Sequence, residues 1–165
     1  RDYYASRGLG DVYKRQRYFT ANKYHYRREL RYVLYKYENY LRAKARQPLL
    51  SPDECTNVFR DVSVSNTLDH ITPQTPDFVE YSEEFCNEYL NNINIGNLSL
   101  LTWGNNSAKK NHNPANDGVV EMYNSIFYSH KEIYETLKSE KKWNEIQISE
   151  RRDRIVAFIK DNWLD

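Results

Sequence analysis

Three short segments carry side chains able to do chemistry together: Leu68-Asp69-His70-Ile71-Thr72-Pro73-Gln74, then Ile95-Gly96-Asn97-Leu98-Ser99-Leu100-Leu101, then Asn105-Asn106-Ser107. They offer an acidic oxygen, an imidazole, a strand-borne amide and a second amide oxygen. Hydrolysis of a phosphodiester needs a base to deprotonate water, and positive charge where the phosphorane and the leaving oxygen gain electron density. An imidazole suits the base role, because its unperturbed pKa of ~6.5 leaves it largely neutral at cellular pH. Mg²⁺ suits the second role: it takes hard oxygen ligands and keeps several waters, so one carboxylate and one amide oxygen suffice to hold it against a phosphate. Neighbours on a strand point to opposite faces. Asp69 and His70 therefore serve one site only if the backbone turns there, and Pro73 gives it reason to turn.

Each segment alone has a plainer reading. An isolated Asp-His pair is usually ordinary structure, and Gly-Asn-Leu is common as a turn entering a strand. Lys109 and Lys110, just past Asn106, are candidate phosphate contacts, since helix N-terminal amides and nearby cations converge on anions; they are equally readable as solvated lysines. Arg151, Arg152 and Arg154 read as a charged helix face, and His25 and His130 as surface or packing histidines.

The elements that must position these groups follow from periodicity. Leu30, Val33, Leu34, Tyr37 and Leu41 recur at helical spacing and predict one long amphipathic helix from Tyr24 to Arg46, closed by Pro48 and Pro52. Val62 to Leu68 alternates apolar and small polar residues, a strand ending at Asp69-His70. Phe78, Tyr81, Phe85 and Tyr89 mark a stripe that predicts an inserted helix between Asp77 and Asn92. Ile93 to Trp103 reads as a second strand, with Gly96 marking a bulge or a close backbone approach. The polar run from Asn105 to Asn113 suits a short helix or turns. Asp117 to about Ser139 reads as one helix. A last helix starts near Asn144, where Asn144 and Gln147 form an Asn-x-x-Gln variant of a capping box, and runs through Trp163. Trp103 and Trp143 are expected in the core, although an aromatic near the site could stack on an extruded base. The layout is a mostly helical α+β domain with a small two-stranded core.

Composition narrows the class. A mean hydropathy of −0.91 is polar, but fifteen Tyr and three Trp bring large apolar bodies. No apolar run approaches the ~18 residues of a membrane span, and no secretion signal is present, so a cytoplasmic location is expected. Cys55 and Cys86 lack a Cys-x-x-Cys partner, which argues against a disulfide framework and a four-cysteine zinc knuckle. The net charge of +1 conceals an asymmetry: residues 23–46 hold eight bases against two acids, and residues 47–165 hold eleven bases against nineteen acids. The basic segment is either a solvated helix face or a phosphate-contacting helix through Arg27 and Arg31. Asp11-Val12-Tyr13-Lys14-Arg15-Gln16 looks like the in-frame translation of a transposon end used in sequencing libraries. Residues 1–16 are therefore expected to be non-native, and the start at Arg1 agrees with a truncated reading frame. Residues 17–165 then form one domain: a basic helix and linker (17–61), a core bearing the three segments (62–113) and C-terminal helices (114–165).

The pattern Asp-His-Ile-x-Pro-Gln, a later Ile-Gly-Asn-Leu-x-Leu-Leu, and an Asn-Ser nine positions past the Gly-Asn resembles the HNH endonucleases of the ββα-metal superfamily. More narrowly, it resembles the C-terminal domain of GmrSD-type modification-dependent restriction proteins. The likeness runs from about Tyr24 to Trp163 and includes the Tyr-Val-Leu-Tyr-Lys-Tyr-Glu-Asn helix before the motif and Trp143, Arg151 and Trp163 after it. It implies a metal-dependent DNA endonuclease of restriction or phage defence, using Mg²⁺ or another divalent ion such as Mn²⁺. His70 matches the general base, Asp69 a metal ligand, and Asn106 the second ligand. Asn97 matches the middle Asn, whose side chain is expected to pin the loop carrying His70. The doubled Asn105-Asn106 departs from the pattern and keeps Asn111 and His112 in reserve as ligands. An upstream or partner NTP-hydrolysing or DNA-sensing domain is also implied. The rival readings are a non-catalytic nucleic-acid-binding module that retains the fold, and a purely structural helical domain.

Overall fold

The helical spacing of Leu30, Val33, Leu34 and Tyr37 is realised in helix α1 (Arg27–Lys44), which buries all four. The computed structural model describes residues 27–51, 53–54, 68–91 and 94–163, with side chains placed for all of these except 27–29, 91, 103 and 163. The expected library-derived segment 1–16 and most of the first expected strand lie outside the described residues, as does the Trp103 side chain. Helix α1 ends before Arg46, which takes a left-handed φ of 53°. The chain then extends to Leu50, whose amide and carbonyl are both bonded by the Asn39 side chain.

Two short strands make the sheet. β1 (Leu68–His70) pairs antiparallel with β2 (Leu98–Leu100), with Leu68 opposite Leu100, Asp69 opposite Ser99 and His70 opposite Leu98. The second strand is shorter than expected at both ends. Before it, Asn94 caps a 3₁₀ turn (Ile95–Asn97) by accepting from the Gly96 amide; after it, Thr102 caps helix α2 (Trp103–Lys109) through the Asn105 amide. Side-chain capping competes with the ladder at each edge and wins. The inserted helix is shorter too. Ser82 caps a helical turn (Glu83–Phe85) that continues as a π-helical segment (Cys86–Asn91), while residues 71–82 run without helix past Pro73 and Pro76. The aromatic stripe survives as a stack, with Tyr81–Phe85 and Phe85–Tyr89 ring centroids 4.5 and 5.1 Å apart.

The segment expected as one helix from Asp117 splits into α3 (Asp117–Glu121) and α4 (Tyr128–Glu140). The break turns Tyr123 inward, and Ser125 Oγ accepts from the Phe127 amide. Helix α4 has no side-chain cap of its own. Glu38 of α1 supplies one, accepting from the Tyr128 and Ser129 amides at 3.0 and 2.8 Å while its other contact is the Arg42 guanidinium at 2.7 Å. A carboxylate at a helix N-terminus satisfies orphan amides and complements the dipole. Helix α5 (Glu145–Trp163) starts where the capping box predicts, the Asn144 amide donating to Gln147 Oε1.

Two apolar clusters result. Helix α1, β2 and α5 enclose Leu34, Tyr37, Leu98, Leu100, Ile155 and Phe158. Ile71, Leu101, Tyr123, Ile133, Trp143 and Ile148 form the other. The architecture is the expected mostly helical α+β arrangement, with Leu98 and Leu100 of the small antiparallel sheet in the first cluster and Ile71 and Leu101, which follow its strands, in the second.

Candidate active site

The strand end at Asp69-His70 is held from two sides. Asn97, fully buried at the end of the 3₁₀ turn that leads into β2, accepts from the Thr72 amide and donates to the Thr72 carbonyl, both at 2.9 Å. The Thr72 hydroxyl in turn donates to the Trp143 carbonyl, and the Ile71 amide bonds the Asn97 carbonyl at 2.9 Å. The two residues that follow His70 are thus both hydrogen-bonded to Asn97.

The strand pleat separates the Asp69 and His70 side chains: β1 runs through both residues, so the turn expected from Pro73 does not bring them to one face of the strand. Asp69 is 3 % exposed and points inward, whereas Leu68 and His70 are half-buried on the opposite face. The Asp69 carboxylate has both oxygens engaged: Oδ1 takes the Lys109 ammonium at 2.8 Å and Oδ2 takes the Tyr123 hydroxyl at 2.6 Å. The same ammonium donates to the His70 carbonyl. Burial and the neighbouring Asp69 charge raise the Tyr123 phenol well above its ordinary value, so it serves Asp69 as a donor only.

Lys109 is the correction to the expected phosphate contacts, since its side chain is 1 % exposed and faces Asp69 rather than solvent. Lys110 is exposed at the end of α2, with a positive φ of 48°. Asn106 lies one turn before Lys109 on α2 and is half-buried, so the (i, i+3) relation puts it on the helix side that meets β1. Asn111 and His112 are exposed in the turn after α2. Arg31 is half-buried on α1, and the Arg27 side chain lies outside the described residues. Arg42, one of the basic run, is drawn inward onto Glu38 and the Ile126 carbonyl instead of facing solvent.

Among the described residues no three His, Cys, Asp or Glu side chains gather to hold an ion. Any ion here draws on one carboxylate together with amide or carbonyl oxygens. That donor chemistry fits a hard cation: Asp69 Oδ1 and the His70 carbonyl already hold a positive charge, the Lys109 ammonium, between two oxygens.

The family model for the C-terminal domain of GmrSD restriction endonucleases matches residues 10–158. The chain belongs to that family. No curated protein and no solved structure matched it. No helix among the described residues of this GmrSD C-terminal domain is long and apolar enough to cross a membrane.

The domain also contains site-shaping residues that sequence reasoning passes over. Arg151 reads as part of a charged face, yet it is wholly buried. Its Nη1 donates to the carbonyls of Ile95, Gly96 and Leu98 at 3.1, 3.3 and 2.6 Å, clamping the turn that presents Asn97. Desolvation lowers its pKa, and its Nε and Nη2 have no hydrogen-bond partner among the described residues. His130 is a packing histidine with a specific task. Its Nε2 donates to the Leu100 carbonyl, its Nδ1 accepts from Ser125 Oγ at 2.8 Å, and its ring meets Tyr123 edge-on at 5.6 Å. Tyr123 is marked in the sequence only by its helical spacing, and Arg151 only by its place in the family resemblance; neither signal reveals a polar partner.

Proposed function

We propose that this GmrSD C-terminal domain is an HNH-type, metal-dependent DNA endonuclease of restriction and phage defence. His70 is the general base, Asp69 and Asn106 hold Mg²⁺ or Mn²⁺, and Asn97 fixes the loop that presents His70. Lys110, Arg27 and Arg31 contact phosphates. Asn111 and His112 are the reserve ligands. The cytoplasm, where foreign DNA is met, is the place of action, and an upstream or partner NTP-hydrolysing or DNA-sensing domain selects modified targets. When bound, the ion supplies the positive charge that the phosphorane and the leaving oxygen require.

The observation that carries this reading is the strand end itself: the Asn97–Thr72 clamp fixes the backbone directly after His70. The order of two antiparallel strands followed by helix α2 supports the HNH assignment. A base must be rigidly placed and a metal-holding carboxylate must be aimed. One observation favours the rival, non-catalytic module: Lys109 neutralises Asp69, as a vestigial metal site would require.

Plasmid cleavage with Mg²⁺ or Mn²⁺, measured beside DNA binding, separates the two. His70→Ala is expected to lose at least about a hundredfold in cleavage rate, the usual contribution of a general base, while binding persists. Unchanged cleavage removes the His70 assignment, and binding without cleavage by the unsubstituted protein selects the rival.

A further inference from the structure

Lysine is almost never fully buried without a partner, and the Lys109 ammonium is buried against two oxygens of one strand end, Asp69 Oδ1 and the His70 carbonyl. Three features make that position unusual. Asp69 is the proposed ion ligand, and the Tyr123 hydroxyl on its other oxygen aims it. Lys109 is the last residue of α2, so its side chain leaves the helix where the backbone breaks at Lys110. Asn106, the other proposed ligand, stands one turn earlier on the same helix.

We propose that Lys109 is an exchangeable resident cation: its ammonium holds Asp69 until a divalent ion takes that oxygen, and the freed side chain then meets a phosphate. The inference rests on the metal-dependent reading above. A divalent ion and an ammonium on one buried oxygen repel each other, and in a partly desolvated site that repulsion is screened weakly, so joint occupancy is disfavoured. An ammonium on a flexible four-carbon stem is suited to such a move, whereas a guanidinium fork is held by its planar geometry. The arrangement lets the domain fold with Asp69 compensated before any ion arrives, because a buried carboxylate stripped of its partner is strongly destabilising. It also sets ion affinity below its intrinsic value, because every binding event must first displace Lys109. In the exchanged state Lys109 returns to the phosphate-contacting role that its neighbour Lys110 already has the exposure for.

The test uses the full chain without DNA. Mg²⁺ and Mn²⁺ are titrated calorimetrically into the unsubstituted protein, Lys109→Met and Lys109→Gln, and each is melted with and without saturating ion. Removal of the competitor is expected to tighten ion binding by about tenfold or more, as when a competing closed state is abolished. Both variants are expected to melt lower without ion and to gain more from it than the unsubstituted protein does. Equal or weaker ion binding in both variants, with binding intact in the unsubstituted protein, overturns the exchange and leaves the endonuclease reading standing. Absence of ion binding in all three proteins removes the metal reading and the exchange with it. Should either variant fail to fold without ion, refolding on addition of Mg²⁺ or Mn²⁺ is expected, and failure to refold also overturns the exchange.

Discussion

At Asn97 one side chain does the work of a ladder pair. The Thr72 amide and carbonyl lie beyond the two-stranded sheet and find no backbone partner there; the Asn97 carboxamide offers one acceptor and one donor in the right order and satisfies both. An Asp at this position keeps the acceptor and loses the donor, and an Ala loses both. A buried polar group left unpaired costs ~1–3 kcal/mol, so Asn97→Ala is expected to lower unfolding free energy by about 3 kcal/mol in urea denaturation. Cleavage is expected to fall further than stability does, because the Thr72 loop also fixes His70. A variant as stable as the parent would mean that water replaces the carboxamide. The role of Asn97 was legible from Gly-Asn-Leu only through the family resemblance. Nothing in the residues themselves named Thr72 as the partner, because a hydrogen bond across 25 positions leaves no periodic trace. Lys109 shows the opposite limit: a lysine beside a lysine reads as surface, and only the buried Asp69 opposite explains why one of the two turns inward.

At the scale of elements, helices announced themselves by spacing, and their ends and breaks did not. The stripe of Leu30, Val33, Leu34 and Tyr37 predicts α1, and the Asn144–Gln147 cap predicts the start of α5, because both signals are local. The division between α3 and α4 is set by Tyr123 reaching Asp69 and by Glu38 of α1 capping α4, which are tertiary facts. Gly96 is legible in kind, as a close approach, although its neighbour is not. A Cβ there would stand 1.9 Å from the Ile148 carbonyl oxygen and 2.9 Å from the Arg152 amide, both backbone atoms of α5. The same helix sends Arg151 to three carbonyls of the Gly96 turn, so contact and hydrogen bonding share one geometry. Backbone cannot step aside as a side chain can, and overpacking at such a point costs about 3 kcal/mol, with larger losses where the neighbour is rigid. Gly96→Ala is therefore expected to lower the denaturation midpoint and to displace the Asn97 turn, read as loss of cleavage under conditions where the variant is still folded. A fully active, fully stable Ala variant would show that α5 is free to move away.

The whole molecule is held around a polar seam. β2 gives Leu98 and Leu100 to one apolar cluster, Ile71 and Leu101 just past the strands belong to the other, and a buried chain of polar contacts runs beside them. His130 bonds the Leu100 carbonyl, Tyr123 packs edge-on to His130 and bonds Asp69, and Asp69 pairs with Lys109. Such a seam ties the stability of the fold to the protonation of His130, the one buried imidazole among the described residues. Burial lowers the His130 pKa from its ordinary 6.5, outweighing the Leu100 carbonyl and the Glu38 charge, which act to raise it. A base whose folded pKa is depressed takes up its proton more readily when unfolded. The stability it contributes is thus whole above pH 6.5 and is lost as pH falls through the interval below. Carboxylates, with ordinary values near ~4, add little to that interval. The melting temperature is therefore expected to fall between pH 7.5 and 5.5 at constant ionic strength. His130→Gln is expected to melt lower at pH 7.5 and to show a flatter dependence, since it has no proton to gain. If the two proteins lose melting temperature in parallel across that range, the acid sensitivity belongs to another group and the seam is not governed by His130.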